Sequence, residues 1–111
     1  MICIYINRCQ DGRIRQFKVL GHSDYAEEGK DIVCAAVSAI VQTAAMGIND
    51  IADIDMEYSQ EEGHVSLSLP KDLSPQQARD AHVILETMLI GIKSIELQYS
   101  SFVYIRDSEV K

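Results

Sequence analysis

The chain has 111 residues, of which 17 are acidic and 10 are basic, so its formal net charge is −7 at neutral pH. A chain of this length normally forms one domain, and with 47% hydrophobic residues it can build a core without disulfides or metals. The acidic balance disfavours direct contact with nucleic acid or an anionic membrane, because both attract basic surfaces, but it permits a basic partner. We therefore treat residues 1–111 as a single domain.

Three further absences narrow the class of protein. No uninterrupted run of about 18 apolar residues predicts a membrane span, and residues 32–48, which come nearest, contain polar side chains. The first residues lack the basic leader and small-residue cleavage site of a signal peptide, so we expect a cytoplasmic protein. The three cysteines are an odd number without a C-x-x-C motif, which argues against a disulfide scaffold and a structural zinc site.

The first predicted elements are two strands and a helix. Isoleucines alternate through residues 2–6, and a second apolar segment at residues 14–20 follows the turn signal Asp11-Gly12, which predicts a β-hairpin. Residues 21–31 form a polar, acidic loop that ends at Asp31, a good N-cap for a helix starting at Ile32. That helix is apolar on nearly every face, so we expect it to be buried or to pack against a second copy of the chain.

The remaining elements repeat this order. Residues 53–59 and 64–69 predict a second hairpin with its turn near 61–63. Ser74-Pro75-Gln76-Gln77 predicts a capped helix start, and the helical apolar spacing continues to about residue 95. Residues 102–105 predict a last strand. The expected fold is α+β, in the order β-β-α-β-β-α-β, with a mainly antiparallel sheet packed against two helices.

Cys34 and His22 suggest thiol chemistry. If Asp31 is the N-cap, Cys34 is the third residue of the helix, where free amides and the positive end of the dipole favour a thiolate. His22 lies in the preceding loop, from which it can fold back and hold the thiol proton. The amides of Val33 or Cys34 are also candidates to bind the oxyanion of an acyl-transfer intermediate.

Each of these residues has a plainer interpretation. A cysteine in an apolar helix is commonly a silent core thiol, and His22 alone is commonly a solvated loop residue. Asp31 either orients His22 or serves only as the N-cap. Ser38 either contacts the site or bonds back to the carbonyl one turn earlier. Gly21 and Gly29 either let the loop close over a peptide or allow ordinary turns.

The segment GHSDYAEEGKDIVCAAVSAI resembles the signature of the ribosomal-processing cysteine proteases, the Prp family. That signature is Gly-His-small, a variable loop, and then Gly-x-Asp-Ile-Val-Cys-small-small-x-Ser. The matching residues here are Gly21, His22, Ser23, Gly29, Asp31, Ile32, Val33, Cys34, Ala35, Ala36 and Ser38. Ser23 stands where alanine is common in the family. The likeness continues through Gly63-His64-Val65 and the late helix, so it covers essentially the whole chain.

The resemblance implies a cysteine endopeptidase of the bacterial cytoplasm, with Cys34 as nucleophile and His22 as base. Its substrate would be the N-terminal extension of large-subunit ribosomal protein twenty-seven, cleaved after a pair of aromatic residues. The resemblance also implies a homodimer and no metal or organic cofactor. The alternative is a non-catalytic ribosome-assembly factor that binds a basic ribosomal protein, which the net charge of −7 fits equally well. The acidic residues of the 21–31 loop would attract a basic substrate to either protein.

Overall fold

A computed structural model describes residues 1–22, 26 and 31–108, and it confirms the predicted order of elements. The elements are β1 (Ile2–Arg8), β2 (Ile14–Leu20), α1 (Ile32–Asp50), β3 (Glu57–Glu61), β4 (His64–Ser68), α2 (Pro75–Gln98) and β5 (Val103–Ser108). Gly29, Ser23 and the acidic residues at positions 24, 27 and 28, for which a role was predicted, lie outside the described residues.

The strands form one sheet with the order β3-β4-β2-β1-β5. Three of its pairings are antiparallel, β1 with β2, β2 with β4 and β3 with β4, whereas β1 and β5 run parallel. The expected mainly antiparallel sheet is therefore confirmed as a mixed sheet with one parallel edge. The parallel pair forms because the chain crosses through α2 before it returns as β5 beside β1.

One face of the sheet and both helices share a single core. The period-two pattern of β1 places Ile4 and Ile6 on this face, opposite Val19 and Phe17 of β2. The helices contribute stripes with helical spacing. The buried residues of α1 are Val33, Val37, Val41, Ala44, Ala45 and Ile48, and those of α2 are Ala81, Leu85, Met88, Leu89 and Ile92. Burial of these apolar side chains is the main force that holds the two layers together.

The segment predicted as a strand over residues 53–59 is a strand only from Glu57 onwards. Ile51 is the C-cap of α1, and the amides of Ile51 and Ala52 both donate to the carbonyl of Gly47. Asp53 follows with a positive φ of 56°, and Ile54 is buried in the core. The first half of the prediction is therefore wrong, because these residues fold under the end of α1 instead of extending along β4.

By length and composition, α1 is long and apolar enough to cross a membrane, with a mean hydropathy of 1.7. The core helix of a folded domain passes the same test, and one stripe of α1 is buried against the sheet and α2. Other faces of α1 carry exposed apolar side chains: Ile32 is 54% exposed and Met46 is 63% exposed. The expected burial of this helix is confirmed for one stripe, and its outer apolar residues remain open to a partner.

An ion cluster ties β1, α2 and β5 together at the end of the sheet opposite to His22. Arg8 donates through Nη1 to Glu86 Oε2 at 2.6 Å and through Nη2 to Asp107 Oδ2 at 2.8 Å. Its Nε also donates to Asp107 Oδ1 at 2.8 Å, so the contact with Asp107 is bidentate. These hydrogen bonds lower the pKa of Asp107 and raise the pKa of Arg8.

The first prediction concerns stability against pH. The pKa of Asp107 is lower in the folded chain than in the unfolded chain, so its ionised carboxylate stabilises the fold. This contribution to the free energy of unfolding is complete above the unfolded pKa of about 3.9 and is lost as the pH falls through the folded pKa. Asp107→Asn should therefore lower the free energy of unfolding by about 1 kcal/mol at pH 7, a modest cost because water reaches the pair. Urea titrations at pH 7 and pH 3 should show this cost shrink at the lower pH. Asp72→Asn, at an exposed position, is the matched control, and an equal loss in both variants would contradict the prediction.

Candidate active site

Gly21, the residue directly after β2, packs closely against the backbone of two other segments. The amide of Gly21 donates to the carbonyl of Gly63 at 2.9 Å, and its φ is +89°. A Cβ at this position would lie 2.5 Å from the carbonyl oxygen of Met1, a distance that real Cβ atoms do not adopt. Only glycine satisfies both the left-handed backbone and this contact. The predicted turn role of Gly21 is therefore confirmed, with a steric reason that only the tertiary structure provides.

His22 follows directly and lies against the turn between β3 and β4. The nearest atom to a Cβ built on Gly63 is Nε2 of the His22 ring, at 3.1 Å. Gly63 has a φ of +72° and belongs with Glu62 to the two-residue turn that joins the two strands. The side chain of His22 is exposed to solvent. The imidazole therefore rests on a glycine turn at the end of the sheet, with its ring open to a substrate.

Cys34 is held at the start of α1 by the side chain of Asp31. One carboxylate oxygen of Asp31, Oδ1, accepts from the amides of Val33 and Cys34 at 3.0 Å each. The backbone of Asp31 is extended, with φ −81° and ψ 97°, as an N-cap requires. The N-cap interpretation of Asp31 is thus confirmed. Cys34 is the third helical residue and is half-buried at the edge of the core.

The same two hydrogen bonds change the expected oxyanion site. The amides of Val33 and Cys34 already donate to a carboxylate, so the premise that they are unpaired is wrong, and their binding of a substrate oxyanion stays a prediction. The carboxylate of Asp31 also adds a negative charge close to the thiol. A fixed anion at a helix N-terminus offsets the field that would favour a second anion there. His22 is the candidate cation that would offset this charge beside the thiol.

The other predicted residues fall on two separate groups. Asp31, Val33, Cys34 and Ser38 share the first turns of α1, where the side chain of Val33 is buried and Ser38 is exposed. No hydrogen bond joins the Ser38 hydroxyl to another described residue, which leaves its back-bonding interpretation without support. Gly21 and His22 form the second group at the end of β2. Residues 23–30 connect the two groups, and the structure describes only residue 26 among them.

The sequence analysis missed Gly63 as a contact of His22. The Glu62-Gly63 turn was visible in the sequence, but its position beside His22 depends on the pairing of Leu20 with His64. Within the described part of the chain, no three His, Cys, Asp or Glu side chains cluster closely enough to bind a metal ion. Cys3 lies on β1 and Cys9 directly follows it, and both are half-buried free thiols. Neither belongs to α1, which carries Cys34.

Comparison with known proteins shows to which family the chain belongs. The sequence profile of the family described as "Cysteine protease Prp" matches residues 1–104. The ribosomal processing cysteine protease Prp of Bacillus subtilis (strain 168) is 31% identical over 101 residues, which cover 89% of this chain and 90% of that protein. The chain belongs to the cysteine protease Prp family. It is therefore a cysteine-type peptidase, and the non-catalytic alternative is set aside.

Further Prp relatives agree. Prp of Staphylococcus aureus (strain Mu50 / ATCC 700699) is 30% identical over 102 residues, which cover 90% of this chain and 92% of that protein. A crystal structure of S. aureus Prp with a covalently linked product peptide has a TM-score of 0.87 and 25% identity, covering 97% of this chain and 100% of that chain. A second S. aureus Prp structure, in complex with a substrate peptide, has a TM-score of 0.81 at 24% identity, with the same coverage, and so supports the Prp fold alone.

The second prediction tests the contact between Gly63 and His22. Gly63→Ala should cost roughly 1 kcal/mol of stability because of its positive φ, and its Cβ should displace the His22 ring by a few tenths of an ångström. If His22 takes part in catalysis, this displacement should lower peptide cleavage by roughly tenfold. Gly12→Ala is the matched control, because Gly12 also has a positive φ, +87°, but has nothing within 4 Å of its Cβ position. Equal activities of the two variants, measured by peptide cleavage beside thermal melts, would show that Gly63 does not position His22.

Proposed function

We propose that this Prp-family peptidase removes the N-terminal extension of large-subunit ribosomal protein twenty-seven, with Cys34 as nucleophile and His22 as base. The observation that carries the proposal is the placement of Cys34 in the first turn of α1, with an exposed His22 at the end of β2. Both residues occupy the positions of the family signature. The curated relatives are named ribosomal processing proteases, which supports a ribosomal protein as the substrate class.

The proposed chemistry is acyl transfer through a thioester. His22 accepts the proton of the Cys34 thiol, and the thiolate attacks the carbonyl carbon of the scissile peptide bond. The tetrahedral intermediate collapses as His22 returns the proton to the leaving amine, and the N-terminal fragment remains as a thioester on Cys34. Water then gives a proton to His22 and attacks the thioester carbon, the C–S bond breaks, the Cys34 sulfur takes the proton back from His22, and the N-terminal fragment leaves as a carboxylic acid. The covalently linked product peptide described for S. aureus Prp supports a covalent route for the family.

The cell compartment and the partners are part of the same proposal. We place the reaction in the cytoplasm, where ribosomal proteins are made, and without direct contact to nucleic acid or membrane. A net charge of −7 supports this, because it repels phosphate groups and attracts a lysine- and arginine-rich substrate. The cleavage site after two aromatic residues is proposed from the family resemblance.

We also propose a homodimer that forms through the outer surface of α1 and α2. A shallow cavity of about 530 Å³ lies between the two helices, and none of its lining residues is charged. Ile51 at its end is 74% exposed and Val83 on its rim is 58% exposed. Gly47 and Gly91 add no side chains to its floor, and the atoms nearest to their Cβ positions belong to Ile84 and Ile40 of the opposite helix. A continuous apolar surface of this kind is typical of a contact with another protein chain.

The third prediction tests the two proposed catalytic residues. Cys34→Ala should abolish cleavage of a peptide that carries the ribosomal extension, because no nucleophile remains. His22→Ala should lower kcat by about 10²–10⁴-fold through loss of general acid–base catalysis. Mass spectrometry of the products measures both effects, and Cys9→Ala is the control for loss of a thiol outside the site. Cleavage by Cys34→Ala at the wild-type rate would contradict the proposal.

Alkylation provides a second readout for the same pair. If His22 holds the thiol proton, iodoacetamide should modify Cys34 faster than it modifies Cys3 or Cys9 at pH 6–7, and the enhancement should disappear in His22→Ala. A rate of Cys34 modification that does not depend on His22 would show that the two residues do not act together.

The fourth prediction concerns the dimer. Val83→Glu should convert a dimer into a monomer, because it buries an unpaired carboxylate in an apolar contact. Leu97→Glu is the matched control, since Leu97 lies on the same helix, is 86% exposed and does not line the cavity. Light scattering at micromolar concentration gives the mass of each variant. A monomeric wild-type chain, or a dimer in Val83→Glu, would contradict this interface.

A further inference from the structure

A groove lies against the side of α1 that also carries Cys34. Ser38, Gln42, Ala45 and Asn49 follow Cys34 at intervals of three or four residues, so they lie on one side of the helix. Next to this side is a cavity of about 480 Å³ between α1 and β3. Its walls include Gln42, Met46 and Asn49 from the helix and Met56, Tyr58 and Gln60 from the strand and the residue before it.

Both proposed catalytic residues lie at the same end of this groove. On the helix side, Cys34 is eight residues before Gln42, which corresponds to about 12 Å of helical rise. On the strand side, β3 runs from Glu57 toward the Glu62-Gly63 turn, and Gly63 lies against the ring of His22. The Gln60 end of the groove is therefore the end that opens toward the site. At the other end, residues 51–56 link α1 to β3.

The strand wall of the groove has a free edge. Among the described residues, β3 is the outermost strand of the sheet and pairs only with β4. Across the two-residue turn, Glu61 pairs with His64, and Ser59 pairs with Ser66. Because hydrogen-bonded and non-bonded pairs alternate in an antiparallel ladder, Tyr58 and Gln60 direct their backbone N–H and C=O groups away from β4. Such an edge accepts an extended peptide as an additional strand.

The side chains of the groove fit apolar groups of a peptide that is not acidic. Met46 is 63% exposed, and its flexible side chain can pack against an aromatic ring. Tyr58 is 36% exposed and donates from its hydroxyl to Gln60 Oε1 at 2.9 Å, which fixes its ring along the wall. Partial burial raises the pKa of Tyr58, so the ring remains neutral. Residues 50–63 contain six acidic and no basic side chains, a charge complementary to a basic ribosomal protein.

We infer that the substrate extension binds as an added strand on the free edge of β3, with apolar side chains entering the groove between β3 and α1 beside Met46 and Tyr58. This inference rests on the proposed function, because its occupant is the peptide that the Cys34 site cleaves. The backbone of β3 then sets the register of the scissile bond, while the groove selects the side chains. Asp50 in the groove wall and the overall acidity of residues 50–63 disfavour acidic peptides.

The backbone contact is tested by a pair of variants at one position. Gln60→Pro and Gln60→Ala both remove the side chain, but only proline also removes the outward N–H, and an edge strand tolerates proline where that group faces away from its neighbour. The KM for the extension peptide should be about fivefold higher in Gln60→Pro than in Gln60→Ala, with similar kcat, for loss of one hydrogen bond. Equal KM values in the two variants would overturn strand addition.

A second pair tests the groove and remains informative if Gln60→Pro does not fold. Met46→Ala should raise the KM for a peptide with an aromatic pair by about tenfold, as expected for lost apolar contact, and should lower the preference for this peptide over its dialanine analogue. Leu97→Ala, at an apolar position outside the groove that is 86% exposed, should leave both constants unchanged. Unchanged preference in Met46→Ala would overturn the groove assignment.

The controls separate this inference from the proposed function. Alkylation of Cys34 by iodoacetamide should proceed at the wild-type rate in Gln60→Pro and Met46→Ala, because neither substitution touches the thiol. If the wild-type protein cleaves the extension but the variants bind it equally well, only the inference fails. If the wild-type protein does not cleave the extension, the proposed function fails, and the inference fails with it.

Discussion

The first turn of α1 is fixed by a single carboxylate, and much of the molecule depends on where that turn begins. Asp31 accepts from the amides of Val33 and Cys34, so the helix starts at Ile32 and its rotation about its axis is set. That rotation turns Val33, Val37 and Val41 into the core. It also leaves Cys34 half-buried at the edge of the core, on the same side of the helix as Ala45 and Asn49. A shift of one residue would rotate the thiol by about 100° and bury polar side chains in its place.

The cap also determines what the thiol needs from the rest of the protein. A helix N-terminus favours an anion, but here the free amides already bind the carboxylate of Asp31, and its charge opposes a second anion nearby. In the proposed dyad, the imidazole of His22 supplies the counter-charge for a thiolate. Backbone contacts position this imidazole: Gly21, just before it, packs against the carbonyl oxygen of Met1, and the ring lies against Gly63. The site therefore combines a locally fixed cysteine with a histidine that is positioned by strand pairing.

The side of α1 toward α2 and the side toward β3 differ in chemical character. The side toward α2 forms an uncharged surface with exposed Ile51 and Val83, suited to a second chain. The side toward β3 carries mixed residues, with an exposed Met46 beside an acidic strand. An apolar helix in a small domain can therefore serve core, interface and groove at once, because each third of its circumference has different neighbours. The net charge of −7, which first excluded nucleic acid, is in part concentrated beside that groove.

The sequence by itself determined the order of elements, the N-cap at Asp31, the place of Cys34 in its helix and the family of the protein. These features depend on local rules, such as capping, strand alternation and a contiguous signature, and so can be derived without knowing which strands meet. Only the tertiary structure decided that β5 runs parallel to β1, that Ile54 folds under α1 instead of extending as a strand, and that Asp31 occupies the amides proposed for an oxyanion. It also decided that Gly63 supports His22, because that contact arises from strand pairing between residues far apart in the chain. Such long-range contacts depend on how the layers pack, which no local pattern encodes.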